Sequence, residues 1–106
     1  MSFRFMRILV FFDLPVLSSQ QRKQYTKFRK HLVKSGFFMM QESVYSKLVL
    51  NATAAENVRE NIRKNKPTEG LIQILTITEK QFARMEFLIG STQTEILNDT
   101  NRLVIL

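Results

Sequence analysis

Strand-like and helix-like segments alternate along this chain, and their order restricts the fold more than any other feature. Met6 to Phe12 is almost entirely apolar, as expected of a central strand that is covered by helices. Ser18 and Gln21 have the spacing of a capping box, and Gly36 is a suitable left-handed stop, which predicts a helix from about Ser19 to Ser35. The first third of the chain is therefore a strand followed by a helix.

The middle of the chain contains a second extended region and a second helix. Residues 37–50 are rich in β-forming side chains, but no Gly or Asn marks a turn, so one bent strand and a tight hairpin both fit. Thr53 and Glu56 have the spacing of a second capping box and predict the start of a helix, which Pro67 and Gly70 end. This region supplies one or two strands and the second helix.

The remaining apolar segments complete the pattern. We predict a buried strand at residues 71–77, a turn or short helix at 78–83, and an extended or helical segment at 85–89. A last apolar strand, residues 103–106, follows a polar stretch at 91–102. This is the βαββαβ order of a ferredoxin-like α+β sandwich, with two helices on one face of an antiparallel sheet, and the last strand is extra.

Length and charge narrow the class of protein. We expect a single domain over residues 1–106, with residues 91–106 as a C-terminal extension. Sixteen Lys and Arg against nine Asp and Glu give a formal charge of +7, which favours a polyanionic partner. Nucleic acid fits better than a membrane, because the apolar helix faces are needed for the core. There is no cysteine and no bilayer-length apolar run, so a cytoplasmic location is expected.

The first helix carries the clearest electrostatic feature. Four lysines fall within an arc of roughly 60° on a helical projection, opposite the apolar Tyr25, Phe28 and Leu32. They are Lys23, Lys27, Lys30 and Lys34, flanked by Arg22 and Arg29. A solvated charged face is one explanation, but such faces normally mix signs, and none of residues 14–41 is acidic. The stripe is therefore predicted to bind phosphates of a nucleic acid or an acidic surface of a partner protein.

Asp13 is the one acidic residue among the first 41 positions, and it lies where the first strand ends at Leu14 and Pro15. A carboxylate at this place, next to a basic helix, predicts a divalent-metal ligand that faces a nucleic-acid phosphate. The alternative is a turn residue whose side chain accepts hydrogen bonds from nearby backbone amides. Both interpretations stay open at this level.

Three separated segments give the chain a resemblance to a known family. They are Phe11 to Pro15 after the first strand, Gln41 to Lys47, and Thr76 to Met85, with the basic helix between the first two. In this order and spacing they resemble the CRISPR-associated endoribonuclease family, the small partner of the spacer integrase in spacer acquisition, in the variant of type II-A systems. The resemblance covers almost the whole chain.

The resemblance implies a symmetric homodimer of ferredoxin-like domains. Its final strand, made of Leu103, Val104, Ile105 and Leu106, is expected to cross to the sheet of the partner. Such a dimer bridges two integrase dimers in a heterohexamer and supports the middle of a captured double-stranded DNA. The family aspartate corresponds to Asp13, and two such carboxylates near the two-fold axis can share a magnesium ion, whereas one carboxylate is a poor metal site.

Functions from two classes therefore stay open. The first is a binding scaffold that recognises DNA by shape and backbone charge. The second is a magnesium-dependent phosphodiesterase acting on DNA or RNA, with Asp13 as metal ligand and catalytic residue. A stand-alone toxin-like ribonuclease is a variant of the second, because such toxins are similar in fold to this family.

Overall fold

The computed structural model describes residues 5–90, which contain four strands and three helices. Their bounds in chain order are β1 Met6–Asp13, α1 Ser19–Lys34, β2 Phe38–Gln41, β3 Val44–Val49, α2 Ala52–Lys64, β4 Leu71–Thr78 and α3 Glu79–Phe82. The predicted last strand, residues 103–106, and the polar stretch before it lie outside the described residues.

The four strands form one antiparallel sheet in the order β2-β3-β1-β4. β1 lies in the centre, pairing with β3 from Met6 to Phe11 and with β4 along its whole length. Its nearly continuous apolar sequence is explained by this position, since a central strand has a neighbour on each edge and side chains on both faces to bury. The predicted ferredoxin-like α+β arrangement is confirmed.

The core lies between the sheet and the helices α1 and α2. Every second residue of β1 points into it, beginning with Ile8 and Val10, and both helices contribute to the same apolar cluster. The Phe12 ring is the centre of an aromatic group, with its centroid 5.3 Å from that of Phe28 and 5.5 Å from that of Tyr45. Both helices therefore cover one face of the sheet and leave the other face free of them.

α1 begins and ends as the sequence predicts. The Ser18 hydroxyl accepts a hydrogen bond from the Gln21 backbone N–H at 3.0 Å, and the Gln21 side chain accepts one from the Ser18 N–H at 2.9 Å. This reciprocal capping box satisfies two donors that have no partner in the helix. At the other end Gly36 has a φ of 97°, a conformation that glycine adopts without steric cost.

α2 begins two residues earlier than predicted. Asn51 is the N-cap, and its side chain accepts a hydrogen bond from the Ala54 N–H at 2.8 Å. The predicted capping box of Thr53 and Glu56 is therefore wrong, since Thr53 already lies inside the helix. Asn is a stronger N-cap than Thr, and the Glu56 carboxylate is engaged by arginines instead.

Residues 37–50 form the tight hairpin that the sequence left undecided. β2 and β3 are joined through Glu42 and Ser43, with a register irregularity between Met39 and Gln41. β4 differs from expectation, because Leu71 and alternate residues after it are exposed. The prediction of a buried strand is wrong because β4 is an edge strand, and α1 and α2 cover only one of its faces.

The segment after β4 starts with the short helix α3. The Thr78 hydroxyl accepts a hydrogen bond from the Gln81 N–H at 3.0 Å, and the Gln81 side chain accepts one from the Thr78 N–H at 2.9 Å. Thr78 and Gln81 thus form a second capping box, which confirms the predicted short helix. Residues 85–89 have neither the extended nor the helical structure considered for them.

Candidate nucleic-acid interface

The outer face of α1 is a basic surface. Phe28 and Leu32 are buried in the core, which turns the opposite face of the helix to solvent. The four lysines on that face are all exposed, and Lys23, Lys27, Lys30 and Lys34 are hereafter the lysine stripe. At the rise of an α-helix the stripe is about 16 Å long. That length covers several phosphates of a duplex, which carries a charge about every 1.7 Å of its axis.

The positive charge of α1 is not neutralised by ion pairs within residues 5–90. No Lys or Arg of α1 forms an ion pair with any residue in the range 5–90. In α2, by contrast, Arg59 and Arg63 both pair with Glu56, and Arg63 Nη1 lies 2.6 Å from the Glu60 carboxylate. Hydrogen bonds from Arg59 and then Arg63 hold the pKa of Glu56 below its usual value. α2 therefore compensates most of its own charge, and α1 does not.

Two shallow depressions lie along the basic face of α1. One, of about 570 Å³, is lined by Ser19, Arg22, Lys23, Thr26, Lys27 and Lys30. The other, of about 560 Å³, is lined by Thr26, Arg29, Lys30, Val33 and Lys34. Both are wide open to solvent, unlike the enclosed pockets that bind small molecules. Their hydroxyl, ammonium and guanidinium groups suit an extended, negatively charged backbone.

Arg22 differs from the lysines in having a structural role. Its Nη1 donates hydrogen bonds to the backbone oxygens of Val16 and Leu17, at 3.2 and 2.9 Å. These bonds hold the loop between β1 and α1 against the first turns of the helix. Arg22 is exposed and lines the first depression, so its remaining N–H groups stay available to a ligand.

Asp13 is exposed at the end of β1, where it pairs with Leu71 of β4. Its carboxylate makes no hydrogen bond to the part of the chain between residues 5 and 90, so the turn-residue interpretation finds no support there. That part of the chain also contains no group of three or more His, Cys, Asp or Glu able to hold a metal ion. In this part of the chain Asp13 is therefore an accessible carboxylate outside any such group.

Asp13 lies at the border of an apolar surface. Side chains alternate along β1, so Leu9 and Asp13 face away from the helices. Leu48, Leu71 and Leu75 lie on the same face, and their side chains are 45%, 54% and 48% exposed. This side of the sheet, opposite α1 and α2, is hereafter the open sheet face. These three leucines place apolar surface on one side of the sheet, where a packing partner could bury it.

The other end of the open sheet face is covered by α3. The guanidinium of Arg7, also on this face, donates from Nε and Nη2 to the two carboxylate oxygens of Glu79, at 2.8 and 2.7 Å. Its Cζ lies 4.3 Å from the centre of the Phe82 ring and 5.9 Å from that of Phe38. The sequence did not reveal this group, because Arg7 and Glu79 are 72 positions apart.

Comparisons with known proteins agree on one family. A family model described as CRISPR associated protein Cas2 matches residues 6–85. This chain belongs to the Cas2 family. The resemblance noted in the sequence is thereby confirmed. A relative from Treponema denticola, named CRISPR-associated endoribonuclease Cas2, is 57% identical over 101 residues, covering 95% of this chain and 100% of the relative.

Two further relatives carry the same name. The Streptococcus mutans serotype c protein is 48% identical to this Cas2-family chain, covering 95% of it and 93% of the relative. The Ligilactobacillus salivarius protein is 44% identical, covering 95% of this chain and 100% of its own. A structure described as "Crystal structure of cas2" has a TM-score of 0.57 at 18% identity, covering 84% of this chain and 91% of that one. That likeness concerns the fold alone.

Some of the predicted site residues lie within the described residues, and others lie outside them. The lysine stripe, Arg22 and Asp13 all lie at the surface, where a ligand can reach them. The dimerisation residues Leu103, Val104, Ile105 and Leu106 lie outside the described residues. Among residues 5–90 no helix combines the length and the apolar character needed to cross a bilayer.

Proposed function

We propose that this Cas2-family protein is a homodimeric scaffold of CRISPR spacer acquisition that holds double-stranded DNA beside the spacer integrase. The observation that carries the proposal is the lysine stripe, which presents four exposed lysines without an acidic partner on α1. Uncompensated charge of this kind favours duplex binding, because lysines that neutralise phosphates release the counterions condensed on the DNA. Contacts of lysine with phosphate position a duplex and carry no sequence information, as a scaffold for varied invader DNA requires.

The open sheet face supports the homodimer. Leu48, Leu71 and Leu75 lose their exposed apolar surface when a second copy packs on it, and burial of apolar surface contributes about 25 cal/mol per Å². A two-fold arrangement uses the same patch on both chains, so no further partner is required. It also brings the two Asp13 carboxylates to one interface, since Asp13 borders the same face. Residues 103–106 would add to the contact from outside the described range.

A metal-dependent nuclease is the second candidate, and the exposed Asp13 favours it. Mg²⁺ prefers oxygen ligands and usually takes one or two carboxylates together with waters and substrate phosphates. Among residues 5–90 no group of three or more possible ligands includes Asp13, so these residues would hold the ion only when Asp13 of both copies contribute. A bound Mg²⁺ would polarise a phosphate and activate water for hydrolysis. The relatives named endoribonucleases make RNA a candidate substrate, including for a stand-alone, toxin-like ribonuclease.

The lysine stripe gives the direct test of duplex binding. Replacing Lys23, Lys27, Lys30 and Lys34 by Gln is expected to weaken binding to all duplex sequences alike. It should also make the log-log salt dependence shallower, by up to about 0.9 per lost phosphate contact. The assay is fluorescence anisotropy of a labelled duplex, alone and with the integrase, at several salt concentrations.

A matched pair of variants separates position from total charge. Lys27→Gln/Lys30→Gln and Arg63→Gln/Lys64→Gln each remove two positive charges, from α1 and α2 respectively. The α1 variant is expected to bind the duplex more weakly and with a shallower salt dependence. The α2 variant is expected to keep nearly the affinity and the salt dependence of the wild type. Equal losses for both would mean that only net charge matters. An unchanged slope for the quadruple variant, with and without integrase, would assign the stripe to a solvated face.

A further inference from the structure

Arg29 is held in place by a buried tyrosine. Its Nε donates a hydrogen bond to the Tyr45 hydroxyl oxygen at 3.0 Å. Tyr45 is 1% exposed and belongs to the aromatic group around Phe12, so the position of its hydroxyl is fixed by the packed core. The guanidinium carbon of Arg29 also lies 5.8 Å from the centre of the Tyr25 ring. A hydrogen bond thus joins Arg29 of α1 to Tyr45 of β3, an inner strand of the sheet.

The hydrogen bond to Tyr45 uses the Nε donor of Arg29 and leaves its terminal Nη groups for a ligand. Arginine has five N–H donors, and only the Nε donor makes a hydrogen bond to residues 5–90. The two terminal Nη groups form a planar fork that matches two oxygens of a phosphate. Arg29 is exposed and lines the second depression with Lys30 and Lys34. A lysine, in contrast, is a mobile point charge without preferred orientation.

The electrostatics agree with the geometry. The Tyr45 hydrogen bond is the largest cause that raises the pKa of Arg29 above its usual value, so the hydroxyl interacts favourably with the charged form. Glu42, in the turn between β2 and β3, is the acidic residue that acts on Arg29, and its effect is the weakest of the causes. The charge of Arg29 is therefore available to an incoming anion.

We propose that Arg29, positioned by Tyr45, is a preorganised phosphate-binding residue that takes one phosphodiester of the DNA backbone between its two Nη groups. The inference rests on the proposed function and deepens it, because it places one DNA phosphate in the second depression, against Arg29. Tyr45 acts through Arg29 and is a positioning residue, without contact to the DNA. Affinity is gained because the side chain is ordered before it binds.

Three charge-preserving variants test the proposal. Tyr45→Phe removes the hydroxyl and keeps the ring, and Arg29→Lys keeps the charge and removes the fork. Each is expected to lower duplex affinity roughly two- to tenfold, the effect of ordering one long side chain on binding. The salt slope should stay at the wild-type value, because no charge is lost. The double variant should bind no more weakly than Arg29→Lys, since Tyr45 acts only through Arg29.

Tyr25→Phe is the control, because it keeps the other ring near Arg29 and removes a different hydroxyl. Wild-type affinity for both Tyr45→Phe and Arg29→Lys would overturn the proposal. If the lysine-stripe variant still lost affinity and slope, the scaffold function would stand. If that variant also bound normally, the scaffold function would fail with it. Should Tyr45→Phe unfold, Arg29→Lys decides alone, since it replaces an exposed side chain and keeps every core residue, and wild-type affinity then refutes the proposal.

Discussion

The pair of Arg7 and Glu79 is predicted to fix α3 on the sheet. The perturbation is Glu79→Gln, which keeps the size of the side chain and removes its charge. Arg7 would then keep a buried guanidinium without a counterion, since its side chain is only 11% exposed. An unpaired buried charge is among the more damaging changes that a single substitution can produce.

The magnitude follows from the exposure of the two partners. Removing one partner of a fully buried ion pair costs about 3–5 kcal/mol, and a surface pair contributes about 0–1 kcal/mol. The Glu79 side chain is 34% exposed, so water screens part of the interaction. We therefore expect a loss of about 2 kcal/mol, reduced from the buried limit because Gln still accepts one hydrogen bond and the Phe82 ring still faces Arg7.

The assay is urea denaturation at fixed protein concentration, because self-association would otherwise shift the midpoint. Glu60→Gln is the matched control, since it removes the same charge from a pair with Arg63 in which both side chains are 51% exposed. The control should lose less than about 0.5 kcal/mol. Equal losses for Glu79→Gln and Glu60→Gln would refute the view that Arg7 anchors α3.

Three further predictions concern the packing of Gly70 against the end of β1 and the dimer. Gly70→Ala should be more destabilising than Gly90→Ala, although both glycines have positive φ. A Cβ on Gly70 would lie 2.7 Å from Leu14 Cδ2 and 3.0 Å from the backbone carbonyl oxygen of Asp13, whereas one on Gly90 meets nothing within 4 Å. Equal shifts in melting temperature would contradict this. Leu75→Glu should weaken self-association, because it places a charge on the open sheet face. Deletion of residues 103–106 should also weaken it, because it removes four apolar residues. Both variants are tested by sedimentation at micromolar protein concentration. A variant that dimerises like the wild type would show that the interface lies elsewhere.

Local sequence signals identified the elements and their order. The box of Ser18 and Gln21 marked the start of α1, and apolar β1 marked the central strand, because capping and periodicity depend on near neighbours in sequence. The sequence places the start of α2 two residues late, because Asn51 and Thr53 are both acceptable N-caps and the helix begins at the stronger one. Strand composition likewise could not show that β4 lies at an edge.

The site was only partly accessible from sequence. The lysine stripe could be predicted, since helical spacing and the absence of acids are visible in one segment. Two contacts could not, because they join residues that only the sheet brings together. Arg29 meets Tyr45 across the helix-sheet interface, and Arg7 of β1 meets Glu79 at the end of β4. Both require strand order and register, which a single sequence does not encode in any local pattern.

Spacer integration in a reaction reconstituted from the integrase, this protein and a duplex tests the central claim most directly. Two variants are compared at equal dimer concentration: the lysine-stripe quadruple variant and Asp13→Ala. A scaffold that binds the DNA backbone predicts strongly reduced integration for the first and near wild-type integration for the second, even where Asp13→Ala abolishes Mg²⁺-dependent cleavage by the isolated dimer. Loss of integration in Asp13→Ala with its integrase complex intact, together with normal integration by the stripe variant, would contradict the account.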